Sequence, residues 1–203
     1  MEGQIIEEIL NHKQKTEHNL PFDWVAKNIR IQPLIDTMEN PLKEIIWNQF
    51  GASIEMLENA IFLCPEEEWN TDKLFWYQAF HCLFFLDYYL TLEPSTFVPP
   101  APFTLSEFED TLPERVYTKE ELMTYLAFCK TKCHDLIATM TDQIAHSHWT
   151  NESQTMSYPV TEILLYNMRH VQHHAAQLNL LLRQTINDAP DWVFRVSSSL
   201  LKS

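Results

Sequence analysis

The sequence predicts an all-α protein: a four-helix bundle with a long crossover between its second and third helices, preceded by an N-terminal helical extension. Three observations predict it. Four long stretches repeat their apolar residues at helical spacing, and none alternates convincingly as a strand would. A 25-residue, proline-rich segment separates the second stretch from the third. Only two glycines, Gly3 and Gly51, occur in 203 residues. An all-β fold needs more turn glycines, and a dinucleotide or phosphate-cradling loop needs them clustered where backbone approaches phosphate.

The elements follow in order. Residues 1–40 form the extension, with Ile5, Ile6, Ile9 and Leu10 on one side of a short amphipathic stretch over 3–18. Pro21 and Pro33 interrupt the remainder of the extension. The bundle is expected over 41–187. Asn40-Pro41 predicts a cap followed by proline at the first helical position. The first helix then places Leu42, Ile45, Ile46, Gln49, Ser53, Met56, Ala60 and Leu63 on one stripe and ends near Cys64-Pro65. The second, from about Asp72 to Leu92, is apolar almost all round. Such a helix must be covered on every side. With Cys82, Leu83, Leu86 and Leu90 on the side away from its main face, the cover is expected from the N-terminal segment and from a second copy in a homodimer.

The crossover spans 93–117, and loops of that length are usually functional. Thr118 to Glu121 is a capping box that opens the third helix, with Leu122, Leu126, Cys129, Cys133, Leu136, Met140 and Ile144 along its core stripe. Residues 147–158 are a polar connection. Pro159 opens the last helix, which runs to about Asn187, and residues 188–203 are a tail without clear period.

Charge and cysteines bound the function. A net charge of −14 repels a phosphate backbone, so nucleic acid is an unexpected partner. No basic cluster suits an anionic membrane, and the apolar run Leu74–Leu90 is interrupted by Gln78, His81 and Asp87. Cys64, Cys82, Cys129 and Cys133 show no disulfide spacing, and "MEGQIIEEIL" lacks the form of a secretory signal. A cytoplasmic location is therefore expected. Cys129 and Cys133 fall on the regular core stripe and read as packing residues.

The chemistry is concentrated in "YNMRHVQHHAAQLNLLLR", residues 166–183. At about 100° per residue, His174 falls about 40° from His170, on the same side as Ile163 and Leu181. Two imidazoles four residues apart can hold one cation from one helix. Val171 stands where a zinc-protease helix would carry its glutamate. His81, in the middle of the apolar second helix, is the candidate from a facing helix. Unmatched imidazoles are costly in a core unless something shares them, so His81, His170 and His174 together predict a three-histidine metal site. Tyr77, Gln78, Asn167, His173 and Gln177 lie at nearby azimuths and are candidates to orient the imidazoles or a substrate. His134 is off its core stripe.

A histidine within "FWYQAFHCLFFLDYYL", followed by HxxHHxxQL in "RHVQHHAAQLNLLLR", resembles the DinB-like superfamily of bacterial four-helix bundles. The resemblance covers residues 41–187. Ala176 stands where that family usually has glycine. The resemblance implies zinc or nickel held by His81, His170 and His174. It also implies a small-molecule substrate, because some relatives are transferases that use a low-molecular-weight thiol. The expected function is a metal-dependent enzyme, a thiol-dependent transferase or hydrolase. The alternative is a non-catalytic metal-binding or dimerisation and stress-response module.

Overall fold

The computed structural model describes residues 35–200, with side chains from residue 41 onward. The predicted amphipathic stretch 3–18 lies outside the described residues. Pro41–Ser203 form one compact unit.

The described chain is mostly helical. Its elements are α1 (Ile35–Leu63), α2 (Glu66–Trp69), α3 (Phe75–Tyr89), a 3-10 turn (Pro94–Thr96), α4 (Lys119–Thr139), α5 (Asp142–His146), β1 (His148–Thr150), β2 (Ser157–Pro159) and α6 (Val160–Thr185). Among the described residues no helix is long and apolar enough to cross a membrane.

The capping box at α4 is formed as expected: Thr118 Oγ1 accepts from the Glu121 amide, and the Glu121 carboxylate accepts from the Thr118 amide. Three boundaries differ from expectation: α4 ends at Thr139, and Ile144, expected on its stripe, falls in the separate α5, which Thr141 caps by accepting from the Ile144 amide. Helix α1 begins at Ile35, so Pro41 lies inside it. No breaker stands between Asp36 and Asn40, so the helix extends back past the proline despite the hydrogen bond its missing N–H forgoes. Helix α3 begins at Phe75, after Leu74 turns the chain through a left-handed conformation (φ 51°).

The buried side of α1 is partly rotated: Ile46, Ser53, Met56 and Ala60 of the expected stripe are buried, but its first residues are not. Leu42 and Ile45 are 54% and 59% exposed, whereas Trp47, Phe50, Ile54, Leu57 and Ile61 are buried. The aromatic rings bury more area than the leucine and isoleucine they displace. That face lies along α4: Trp47 meets His134 edge-on at 5.0 Å, and Lys130 pairs with Glu55 and Glu58. The tail packs over α1. Trp47 Nε1–H donates to Ser198 O at 2.9 Å, and the Val196 amide donates to Asn48 O at 3.1 Å. Gly51 permits this approach, since a Cβ there would stand 2.6 Å from Val196 Cγ2.

Helix α3 is the centre of the packing: eleven of its fifteen residues are buried. Helix α6 lies on one side, where Asn167 Nδ2–H donates to Leu86 O. Helix α4 lies on another, where the Cys129 thiol reaches Leu83 O and the Tyr125 hydroxyl donates to Asp87. The crossover covers a third: Phe103 stacks on Phe80, and Phe97 and Phe108 meet Phe84 edge-on. Cys82, Leu83, Leu86 and Leu90 are all buried. That side of α3 is thus covered within a single chain, with the Cys129 thiol of α4 at the Leu83 carbonyl.

The polar connection contains a short antiparallel hairpin, with Trp149 opposite Tyr158. Trp149 is fully buried, donates Nε1–H to Thr91 O, and packs against Tyr88 and Tyr89. Three-residue strands are too short to show an alternating pattern.

Candidate metal centre

Two helices build the centre. Helix α3 carries His81; α6 carries His170 and His174 one turn apart. The buried Asn167 amide fixes the two helices against each other one turn before His170. The ring centroids of His81 lie 5.7 Å from His170 and 4.8 Å from His174, and His170 lies 4.5 Å from His174. One ligand nitrogen from each of the three falls within 4.8 Å of the others. Three nitrogens on a tetrahedral cation at about 2.0–2.1 Å stand roughly 3.4 Å apart, a spacing that small side-chain rotations reach from here.

Sequence reasoning missed Glu107. Its Oε2 lies 2.6 Å from His81 Nδ1, and its side chain is 4% exposed. A carboxylate only accepts, so His81 donates from Nδ1, which in the neutral ring leaves the lone pair on Nε2. A carboxylate behind an imidazole is the usual means of fixing a ligand histidine's tautomer and ring orientation. Glu107 belongs to the crossover, in "TLSEFED". The available signal was the apolar flanking: Phe103 is buried and Phe108 packs on Phe84 and Tyr88, pinning the loop over α3.

Burial holds the other two imidazoles neutral. It lowers His170 to about 3, with the neighbouring His174 and His81 adding repulsion. It lowers His174 to about 4, helped by His81 and His173 and opposed by Gln177 and Glu107. The Nδ1 atoms of both are buried without a hydrogen-bond partner. Orphaned buried nitrogens are costly, and neutral imidazoles are the form that ligates. This donor set fits zinc or nickel, which imidazole suits.

The remaining candidates divide. His173 stands edge-on to His174 at 5.2 Å, and Gln177 lies near enough to His174 to favour its protonated form. Tyr77 adjoins Glu107; burial first, then the Glu107 charge, pushes its hydroxyl up to about 12. Gln78 instead donates to Lys73 O, and Asn167 ties helices together without touching an imidazole. His134 is remote from the cluster, bonded to Asp135 and Leu200 O. Cys129 and Cys133 are free and buried, consistent with packing.

Replacing Glu107 by Gln removes the charge behind His81 but keeps the shape. Metal affinity is expected to fall by about 10–100-fold, as for other partners of ligand histidines. Competition with a chelating indicator measures it; an unchanged affinity would show that Glu107 does not orient His81.

The depressed histidines also predict a pH effect on the metal-free protein. Unfolded, both imidazoles take protons near the ordinary value of about 6.5. Folded, they do so only near 3 and 4. Below about 6.5 the unfolded state therefore binds more protons, and stability falls as pH drops toward 4. Thermal melts between pH 7 and 5 should show this loss in wild type and a smaller loss in His170→Ala. Equal pH dependence would contradict it.

The chain matches no family model, no curated protein and no solved structure.

Proposed function

We propose that the chain is a four-helix bundle of the DinB-like kind, in which α1, α3, α4 and α6 are the four helices. His81, His170 and His174 hold one divalent cation, zinc or nickel, in an enzyme that transfers a low-molecular-weight thiol or hydrolyses a small substrate. The observation that carries this reading is the convergence of three imidazoles from two helices, with one ligand nitrogen each within 4.8 Å of the others.

When bound, a cation held by three neutral imidazoles supplies its full charge as a Lewis acid and promotes loss of a proton from a thiol or water beside it. The chain's own residues prepare that position. Glu107 holds the Nδ1 proton of His81 and turns Nε2 toward the cluster. Burial keeps His170 and His174 unprotonated at neutral pH. Phe85 and Tyr89 stand against the rings, at 4.9 Å from His81 and 6.1 Å from His170, and keep water from that side.

The test is turnover by tag-free, metal-loaded protein offered a small thiol with an alkylating electrophile, or a hydrolysable ester. Product should form in proportion to bound metal and be absent with His174→Ala. A metal-loaded protein that turns over neither would favour the non-catalytic module.

A further inference from the structure

Beside the histidines, on the flank of α6, lies a groove of about 590 Å³ lined by Tyr166, Arg169, His170, Gln172, His173 and Ala176. Its volume suits a small organic molecule. It shares His170 with the metal centre, so a molecule seated there adjoins one of the three imidazoles. We propose that this groove takes the carboxylate of a small organic acid, with Arg169 as its anchor, and that it thereby sets the substrate class of the neighbouring centre. The inference rests on the reading of the histidines as the reacting centre.

Three observations carry it. Arg169 makes no ion pair among the described residues, although the chain has twice as many acidic as basic side chains, 28 against 14. Its helical neighbours at three and four residues are Leu165, Tyr166, Gln172 and His173, none of them acidic. Its guanidinium lies 5.9 Å from the Tyr166 ring, against the wall of the same groove. A guanidinium stacked on a ring and unpaired among the described residues offers a planar fork that matches a carboxylate with two parallel hydrogen bonds. One such fork balances one negative charge. A phosphate dianion would call for a second cation, and among the described residues no lysine or further arginine lines the groove. The polar edges of Gln172 and His173 can serve the rest of an acid's hydrogen bonds, while Tyr166 and Ala176 offer apolar contact to its carbon chain.

The experiment compares two thiols of similar size on cobalt(II)-loaded protein, read by the cobalt visible spectrum. The probes are 3-mercaptopropionate, which carries a carboxylate, and 2-mercaptoethanol, which does not. The acid should bind at least about tenfold more tightly in wild type, the size of one charge-assisted hydrogen-bond pair. Arg169→Gln should abolish the preference without reducing cobalt content, and Arg169→Lys should restore part of it. Equal affinities in wild type, or a preference that survives Arg169→Gln, would overturn the groove's role while the metal reading stands. A protein that holds no cobalt would fail the metal reading instead. Propionate titrated into that metal-free protein then decides the groove separately. Saturable movement of the Arg169 Nε–H and Ala176 amide NMR signals supports the anchor, and unmoved signals overturn it.

Discussion

Replacing His174 by Ala is expected to abolish metal retention. The three imidazoles are the donors that the two helices bring together, and a cation left with His81 and His170 would have two. Three protein ligands are the ordinary minimum for a tightly held zinc site. The variant should still fold, because His174 is only partly buried and its Nδ1 has no partner to lose. His134→Ala is the matched control. That imidazole is occupied by Asp135 and by the Leu200 carbonyl, away from the centre. Metal content after dialysis should drop to near zero in the first variant and stay at the wild-type level in the second. Equal retention in both would remove His174 from the ligand set.

Asp87→Ala is expected to be a strongly destabilising change outside the centre. Asp87 is 1% exposed in the last turn of α3. Its Oδ1 accepts from Lys132 Nζ at 2.6 Å, and its Oδ2 accepts from the Tyr125 hydroxyl at 2.9 Å. Lys132 also donates to Thr91 Oγ1 and to the Asp87 carbonyl, so the network ties α4 to the end of α3. Removing the carboxylate strands a charged lysine and a buried phenol. Breaking a buried pair from one side costs about 3–5 kcal/mol, and the Lys132 side chain, 26% exposed, keeps a partial route to water. A loss of about 3 kcal/mol in urea denaturation is therefore expected. Asp87→Asn, which can still accept from Tyr125, should lose less. A loss below about 1 kcal/mol would show that Lys132 re-pairs freely with solvent.

The histidine cluster was legible because helical periodicity belongs to the sequence. Once His170 and His174 share a side with Ile163 and Leu181, a packed helix has to turn them inward. His81 was legible for the same reason, surrounded by aromatic residues on a helix apolar all round. Glu107 was not legible, because no period governs a loop. Its burial depends on where Phe103 and Phe108 dock, which is a tertiary fact. Periodicity gives the azimuth of Asn167 but not its partner, and its amide serves the Leu86 carbonyl rather than an imidazole. The start of the α1 stripe was misjudged by treating apolar residues as equal, when Trp47 and Phe50 outweigh Leu42 and Ile45. The cover over α3 was expected from the N-terminal segment and a second copy because a proline-rich crossover does not look like core. Here Phe97, Phe103 and Phe108 make it part of the core's wall.

The most direct test is elemental analysis of wild-type protein purified without a histidine tag, paired with a thermal melt before and after chelator treatment at neutral pH. The predicted result is about one equivalent of zinc or nickel per chain, removed by chelator, with a lower melting temperature once it is gone. Protein that carries no divalent metal, takes up neither zinc nor nickel on incubation, and melts identically with and without chelator would contradict the assignment of His81, His170 and His174 as a metal centre.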